Sequence, residues 1–174
     1  MKKIKTRKRG FTLLELLVVV LIIGILAAIV LPQYQMAIMK SRYSTLIDIV
    51  RVMNDAEERY YMVHDKYAAT FEGLDIDLSG CTLSNDKIKC NYDWGSCQVS
   101  KNGGRVHCEN TKNLKNAYVI YFGQNNSYLA GYKICWAFTT DKNDRWNKLC
   151  QNMGATYLES GNCGTGSSCE KYKF

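Results

Sequence analysis

A run of 21 residues, 11–31, carries only two polar side chains, Thr12 and Glu15. No other feature limits so strongly what the chain can fold into. As an α-helix the run is about 31 Å long, the thickness of a bilayer's hydrocarbon core. The ten residues before it hold Lys2, Lys3, Lys5, Arg7, Lys8 and Arg9 and no acid. By the positive-inside rule that leader stays in the cytoplasm and the rest of the chain lies across the membrane. An ordinary secretory signal has an apolar core of about 7–15 residues, ended by a small-residue cleavage site. This run is longer, contains a carboxylate and has no A-x-A, since Ala27-Ala28 is followed by Ile29-Val30-Leu31.

The net charge of +7 also sits in the leader: beyond residue 10, 17 Lys and Arg stand against 16 Asp and Glu. A nucleic-acid binder carries a basic body, so nucleic acid is not an expected partner. The apolar run does not open into a loop. Tyr43, Leu46, Val50, Met53, Ala56, Tyr60 and Val63 recur every three or four residues, which predicts an amphipathic helix. No Pro or Gly interrupts residues 33–63. One helix over 11–63 follows, on the order of 80 Å long. Pro32, the only proline, is expected to kink it, because it removes a backbone donor and clashes one turn back.

Eight cysteines lie at 81, 90, 97, 108, 135, 150, 163 and 169, all in the second half. That reads as a disulfide framework in an oxidising compartment, the side of the membrane the charge rule also assigns. Cys81 and Cys90 are symmetric about Asn85-Asp86, and Cys97 and Cys108 about Asn102-Gly103, a hairpin signal. In two-residue hairpins each pair would sit directly opposite. Residues 118–122 and 128–138 predict another strand pair across Gln124-Asn125-Asn126. Cys135 with Cys150 would close a loop over residues 139–149, and Cys163 with Cys169 would pinch a Gly- and Ser-rich tail. Eight cysteines allow 105 pairings; turn positions favour 81–90, 97–108, 135–150 and 163–169. The expected fold is α+β: a leader (1–10), a long kinked helix (11–63, membrane-spanning over 11–31), and a disulfide-stapled head (64–174). In the head a four-stranded antiparallel sheet covers the helix. Residues 64–80 read as the connecting loop.

The sequence Arg9-Gly10-Phe11-Thr12-Leu13-Leu14-Glu15-Leu16 carries the function. A carboxylate inside a membrane helix is costly and needs a partner. Cleavage after Gly10 would supply one, a cationic α-amine at Phe11, on the same or a neighbouring subunit. Such a pair sets register without adding much net stability. The stretch resembles the prepilin leader and N-terminal segment of type IV pilins and type II secretion pseudopilins, including the spacing to Pro32. The resemblance implies a membrane peptidase that cuts between Gly10 and Phe11 and methylates Phe11. It implies that Glu15 docks on a neighbour's N-terminus and that the subunit assembles with copies of itself into a filament. An assembly ATPase and a platform membrane protein are implied partners, and the membrane is the site of storage. The implied localisation is the inner membrane, with a periplasmic head, and then a filament.

Other classes have weaker support. A secretion pseudopilin is the nearest alternative; a calcium site would favour it, but Asp141 and Asp144 lie among Lys142, Arg145 and Lys148. A minor pilin that captures DNA or a surface would use Lys101, Arg105, Lys112 and Lys115 near Tyr118, with Trp94, Trp136 and Trp146 for stacking. Enzyme chemistry is not expected. His64 and His107 have no triad order, and Asp75 and Asp77 have no third partner. Gly164-Thr165-Gly166-Ser167-Ser168 lacks a phosphate-binding lysine. No C-x-x-C or H-x-x-x-H suggests a metal, and no cofactor is expected. Asn125-Asn126-Ser127 matches a glycosylation sequon.

Overall fold

The computed structural model describes residues 10–77, 79–112, 117–123, 129–162 and 168–174. The chain forms two compact units, one up to Ala37 and one from Ile38. Helix α1 (Leu13–His64) contributes to both and continues as α-helix through Pro32. In the first unit its apolar side chains point outward; from Leu13 to Leu31 each large one is at least 46% exposed. Exposure of that kind suits lipid or a partner helix, not water.

In the second unit α1 is one-sided. Tyr43, Leu46, Val50, Met53 and Ala56 are all within 1% of full burial. Val63, the last residue of the expected stripe, is 77% exposed and lines an open groove with Arg59, Tyr60, Gly73 and Asp75. The following segment turns back through a 3-10 turn (Phe71–Gly73). Tyr67 packs where Gly103 and Gly123 leave space: a Cβ on either would crowd its side chain.

Among the described residues the sheet has eight strands, not the four expected. They are β1 (Thr82–Leu83), β2 (Lys89–Tyr92), β3 (Gly95–Val99), β4 (Arg105–Glu109), β5 (Ala117–Phe122), β6 (Lys133–Ala137), β7 (Thr156–Asn162) and β8 (Ser168–Lys173). Helix α2 (Arg145–Asn152) lies between β6 and β7. Every pairing is antiparallel and the order is β1-β2-β3-β4-β5-β6-β8-β7. Residues directly opposite share a face. One such row crosses six strands, Cys90, Cys97, Cys108, Val119, Cys135 and Tyr172. Each is within 1% of full burial. Met53 of α1 packs onto this row, its sulfur 3.7 Å from that of Cys108.

Disulfides join Cys81 to Cys90, Cys97 to Cys108 and Cys135 to Cys150. Cys169 is also disulfide-bonded; its expected partner, Cys163, lies outside the described residues. The hairpins differ in detail from the two-residue turns expected. Cys97 does face Cys108, but their hairpin closes at Ser100 and Arg105 with positive φ at Gly103 and Gly104. In the first hairpin Leu83, not Cys81, faces Cys90. Ser84 is the cause: its hydroxyl donates to Asp86 at 2.6 Å and accepts from the Lys89 N–H at 3.0 Å, which moves the turn towards β2.

Candidate functional site

The first turn of α1 is built by Thr12 and Glu15. The Thr12 N–H and hydroxyl both donate to Glu15 Oε2, at 2.8 and 2.7 Å. The Glu15 N–H donates back to Thr12 Oγ1 at 3.2 Å. This is a capping box, in which the residue before the helix and the third residue within it satisfy each other's free donors. Thr-x-x-Glu was legible as such in the sequence. Within the chain it is Thr12, and not Phe11 one turn back, that bonds the Glu15 carboxylate.

Two consequences bear on chemistry. The helix begins at Leu13, so the Gly10–Phe11 bond lies outside its hydrogen-bond ladder, and both residues are exposed. A peptidase can take that bond without unwinding helix. Glu15 uses Oε2 for both Thr12 bonds. Oε1 has no hydrogen bond among the described residues and can accept from another molecule. A shallow apolar recess beside it is lined by Phe11, Leu14, Val18 and Val19.

The remaining candidates do not converge. Asp75 is held by Arg59 in a two-pronged ion pair at 2.7 and 2.8 Å, while Asp77 lies in a separate groove. Glu15 and these acids apart, His64 stacks on Tyr60, ring centroids 4.2 Å apart. Burial, helped by the charge of Arg105, pushes His107 down to about 4, so it is neutral at physiological pH. Asp144 caps α2 by accepting the Trp146 N–H, and Asp141 accepts the Asn143 N–H. Among the described residues no three His, Cys, Asp or Glu cluster as metal ligands. The aromatic platform also separates: Trp94 stacks on Tyr92, Trp136 lies between Phe122 and Phe138, and Trp146 is only 5% exposed. Lys101 pairs with Asp86. Lys115, the sequon at Asn125 and residues 164–167 lie outside the described residues.

Comparison with known proteins matches the N-terminal segment to the prokaryotic N-terminal methylation motif over residues 5–31. Two type IV major fimbrial proteins FimA of Dichelobacter nodosus are similar over most of their length. One is 31% identical across 82% of this chain and 88% of its own. The other is 49% identical across 76% and 83%. The type II secretion system core protein G of Aeromonas hydrophila is 35% identical over 41% of this chain and 50% of its own. No solved structure matches significantly. A capped apolar helix with one carboxylate in its first turn, an antiparallel sheet beneath its second half and these relatives place the chain in the type IV pilin family.

Proposed function

We propose that the chain is a structural subunit of a type IV pilus, made as a precursor with residues 1–10 in the cytoplasm. The peptidase cuts after Gly10, and Phe11 becomes a methylated N-terminus. The new amine of one subunit meets Glu15 Oε1 of its neighbour while the apolar helices pack in the filament core. The disulfide-stapled heads form the outside. The observation that carries this reading is the capping box. It fixes a carboxylate at the mouth of an otherwise apolar helix and leaves one oxygen for a partner.

Docking is differential. In the membrane Glu15 is an uncompensated carboxylate; against a neighbour's amine it is neutralised, and the gain exists only in the staggered register. An assembly ATPase and a platform protein supply the work, on the strength of the family resemblance. A secretion pseudopilin is the second reading, favoured by the core protein G match. The fimbrial proteins cover about twice as much of the chain, which favours the pilus. Mass spectrometry of the N-terminal peptide, with microscopy of sheared filaments, tests both. An N-methylated Phe11 in surface filaments supports the proposal. A start beyond residue 26 in protein released from the membrane would sink it.

A further inference from the structure

Successive residues of α1 turn by about 100°, so Ile49 and Val52 lie on one side of its buried stripe and Ile47 and Arg51 on the other. The two flanks carry opposite chemistry. On the first, a groove of about 250 Å³ is lined by Asp48, Ile49, Val52, Ile76, Asp77 and Tyr92. Val52 is 55% exposed in it. Among the described residues neither Asp48 nor Asp77 has a cation within ion-pair distance.

On the other flank β6 begins where β8 ends, the Phe174 N–H donating to the Lys133 carbonyl at 3.0 Å. Lys133 Nζ lies 4.5 Å from the Phe174 ring centre, and Lys173 Nζ lies 3.7 Å from that of Tyr132. Arg51 is close enough to push the Lys133 amine down, together with burial, against an opposing pull from Asp48. Three cations here have two aromatic rings and, among the described residues, no carboxylate within 4.0 Å.

We propose that the groove of one head receives the Tyr132 and Phe174 end of the next copy, with Lys133 and Lys173 facing Asp77. The inference rests on the filament reading and gives it a head-to-head register. The patches differ and sit on opposite flanks, so the contact is heterologous. Each docking leaves one free groove and one free aromatic end, and assembly continues without closing. The groove holds about one aromatic side chain, so the contact selects register and orientation while the apolar helices supply most of the affinity.

The test uses the full chain, expressed in a bacterium with a working pilus machine. Filaments are treated with a carbodiimide, which joins carboxylates to amines in direct contact, and the linked peptides are sequenced. The expected result is a link from Asp77 to Lys133 or Lys173 in filaments and none in detergent-dispersed monomers. Asp77→Lys and Lys133→Glu should each lower filament yield about tenfold, since like charges then meet. The two together should restore yield to within about twofold, with all disulfides formed in each variant. Wild-type filaments without the link overturn the proposal, as does a double variant no better than either single. Links from Asp77 to amines of a different protein also overturn it, by naming another occupant. If processed wild-type chains build no filaments under the microscope, the filament reading fails first and this contact with it.

Discussion

Glu57 Oε2 accepts the Ala68 N–H at 2.9 Å, while its Oε1 is buried and has no donor among the described residues. The residue is 1% exposed, on the face of α1 that the returning segment covers. Burial raises its pKa to about 7, against the Ala68 hydrogen bond, and the charge of Glu58 adds to the rise. A carboxyl held half-satisfied in this way folds best with its proton.

The sign of the pH effect follows. The folded pKa lies above the unfolded value, so the folded head binds more protons. Its contribution to stability is complete below about pH 4.5 and is lost as pH rises through 7. The loss between pH 5 and pH 8 is at most about 3 kcal/mol. Glu57→Gln keeps an acceptor for Ala68 and has no charge to bury. Near-ultraviolet dichroism melts of the chain in detergent should show wild type losing Tm between pH 5 and pH 8, while the Gln variant stays flat. Parallel profiles would mean that Glu57 is charged and compensated in the fold.

Glu15 caps the helix, and one substitution separates that role from the proposed docking. Glu15→Gln keeps the side-chain oxygen that accepts from Thr12 and loses the charge. If the charge docks the neighbour's amine, the variant is cut after Gly10 and retained in the membrane, with filament yield down at least tenfold. Thr12→Val removes the cap and keeps the charge. It should cost the first turn about 1 kcal/mol and leave most assembly intact. Filaments of Glu15→Gln at wild-type yield would assign Glu15 to capping alone.

What the sequence disclosed follows from where the physics is local. The apolar run and the three- and four-residue spacing of Tyr43 to Ala56 gave α1 to within two residues at its start. The Cys97–Cys108 hairpin was legible because Asn102-Gly103 marks its centre. The last two strands were hidden for a physical reason. β8 buries Glu170 and Lys171, at 3% and 7% exposure, so apolar alternation is absent. Their charges are met across the sheet, Ser160 donating to Glu170 at 2.8 Å and Lys171 to Glu159 at 2.6 Å. Only the pairing makes those residues tolerable inside, and pairing is long-range. α2 was readable, with Asp144 as cap and Trp146, Leu149 and Cys150 on one side, but it begins inside the loop expected over residues 139–149 and runs two residues past Cys150.

The disulfides should rank by position, since their loops are similar, with sequence separations of 9, 11 and 15. Chain entropy alone predicts about 3 kcal/mol for each. Cys97–Cys108 lies in the buried row beneath Met53, so replacing both with Ala also opens a cavity. Cys81–Cys90 places only Cys90 in that row, its partner being partly exposed beside a two-residue edge strand. The Cys97→Ala/Cys108→Ala chain should melt well below the Cys81→Ala/Cys90→Ala chain in the same dichroism assay. Equal melting points would mean that the edge strand matters as much as the centre of the row.

At Gly95 β3 runs tight against the backbone at the end of β4. A Cβ there would collide with the Glu109 carbonyl and come within 2.8 Å of the Asn110 Cα. Both obstacles are backbone, so no side-chain rotation relieves them. The strand would have to move away from β4, and the Cys97–Cys108 bridge, whose Cα atoms are 4.1 Å apart, opposes that. Gly95→Ala should therefore cost more than the roughly 1 kcal/mol an ordinary substitution averages. It should also slow formation of the 97–108 bond, which alkylation of free thiols during oxidative refolding would detect. A variant that refolds and oxidises at the wild-type rate would show that β3 and β4 can separate at this point without loss.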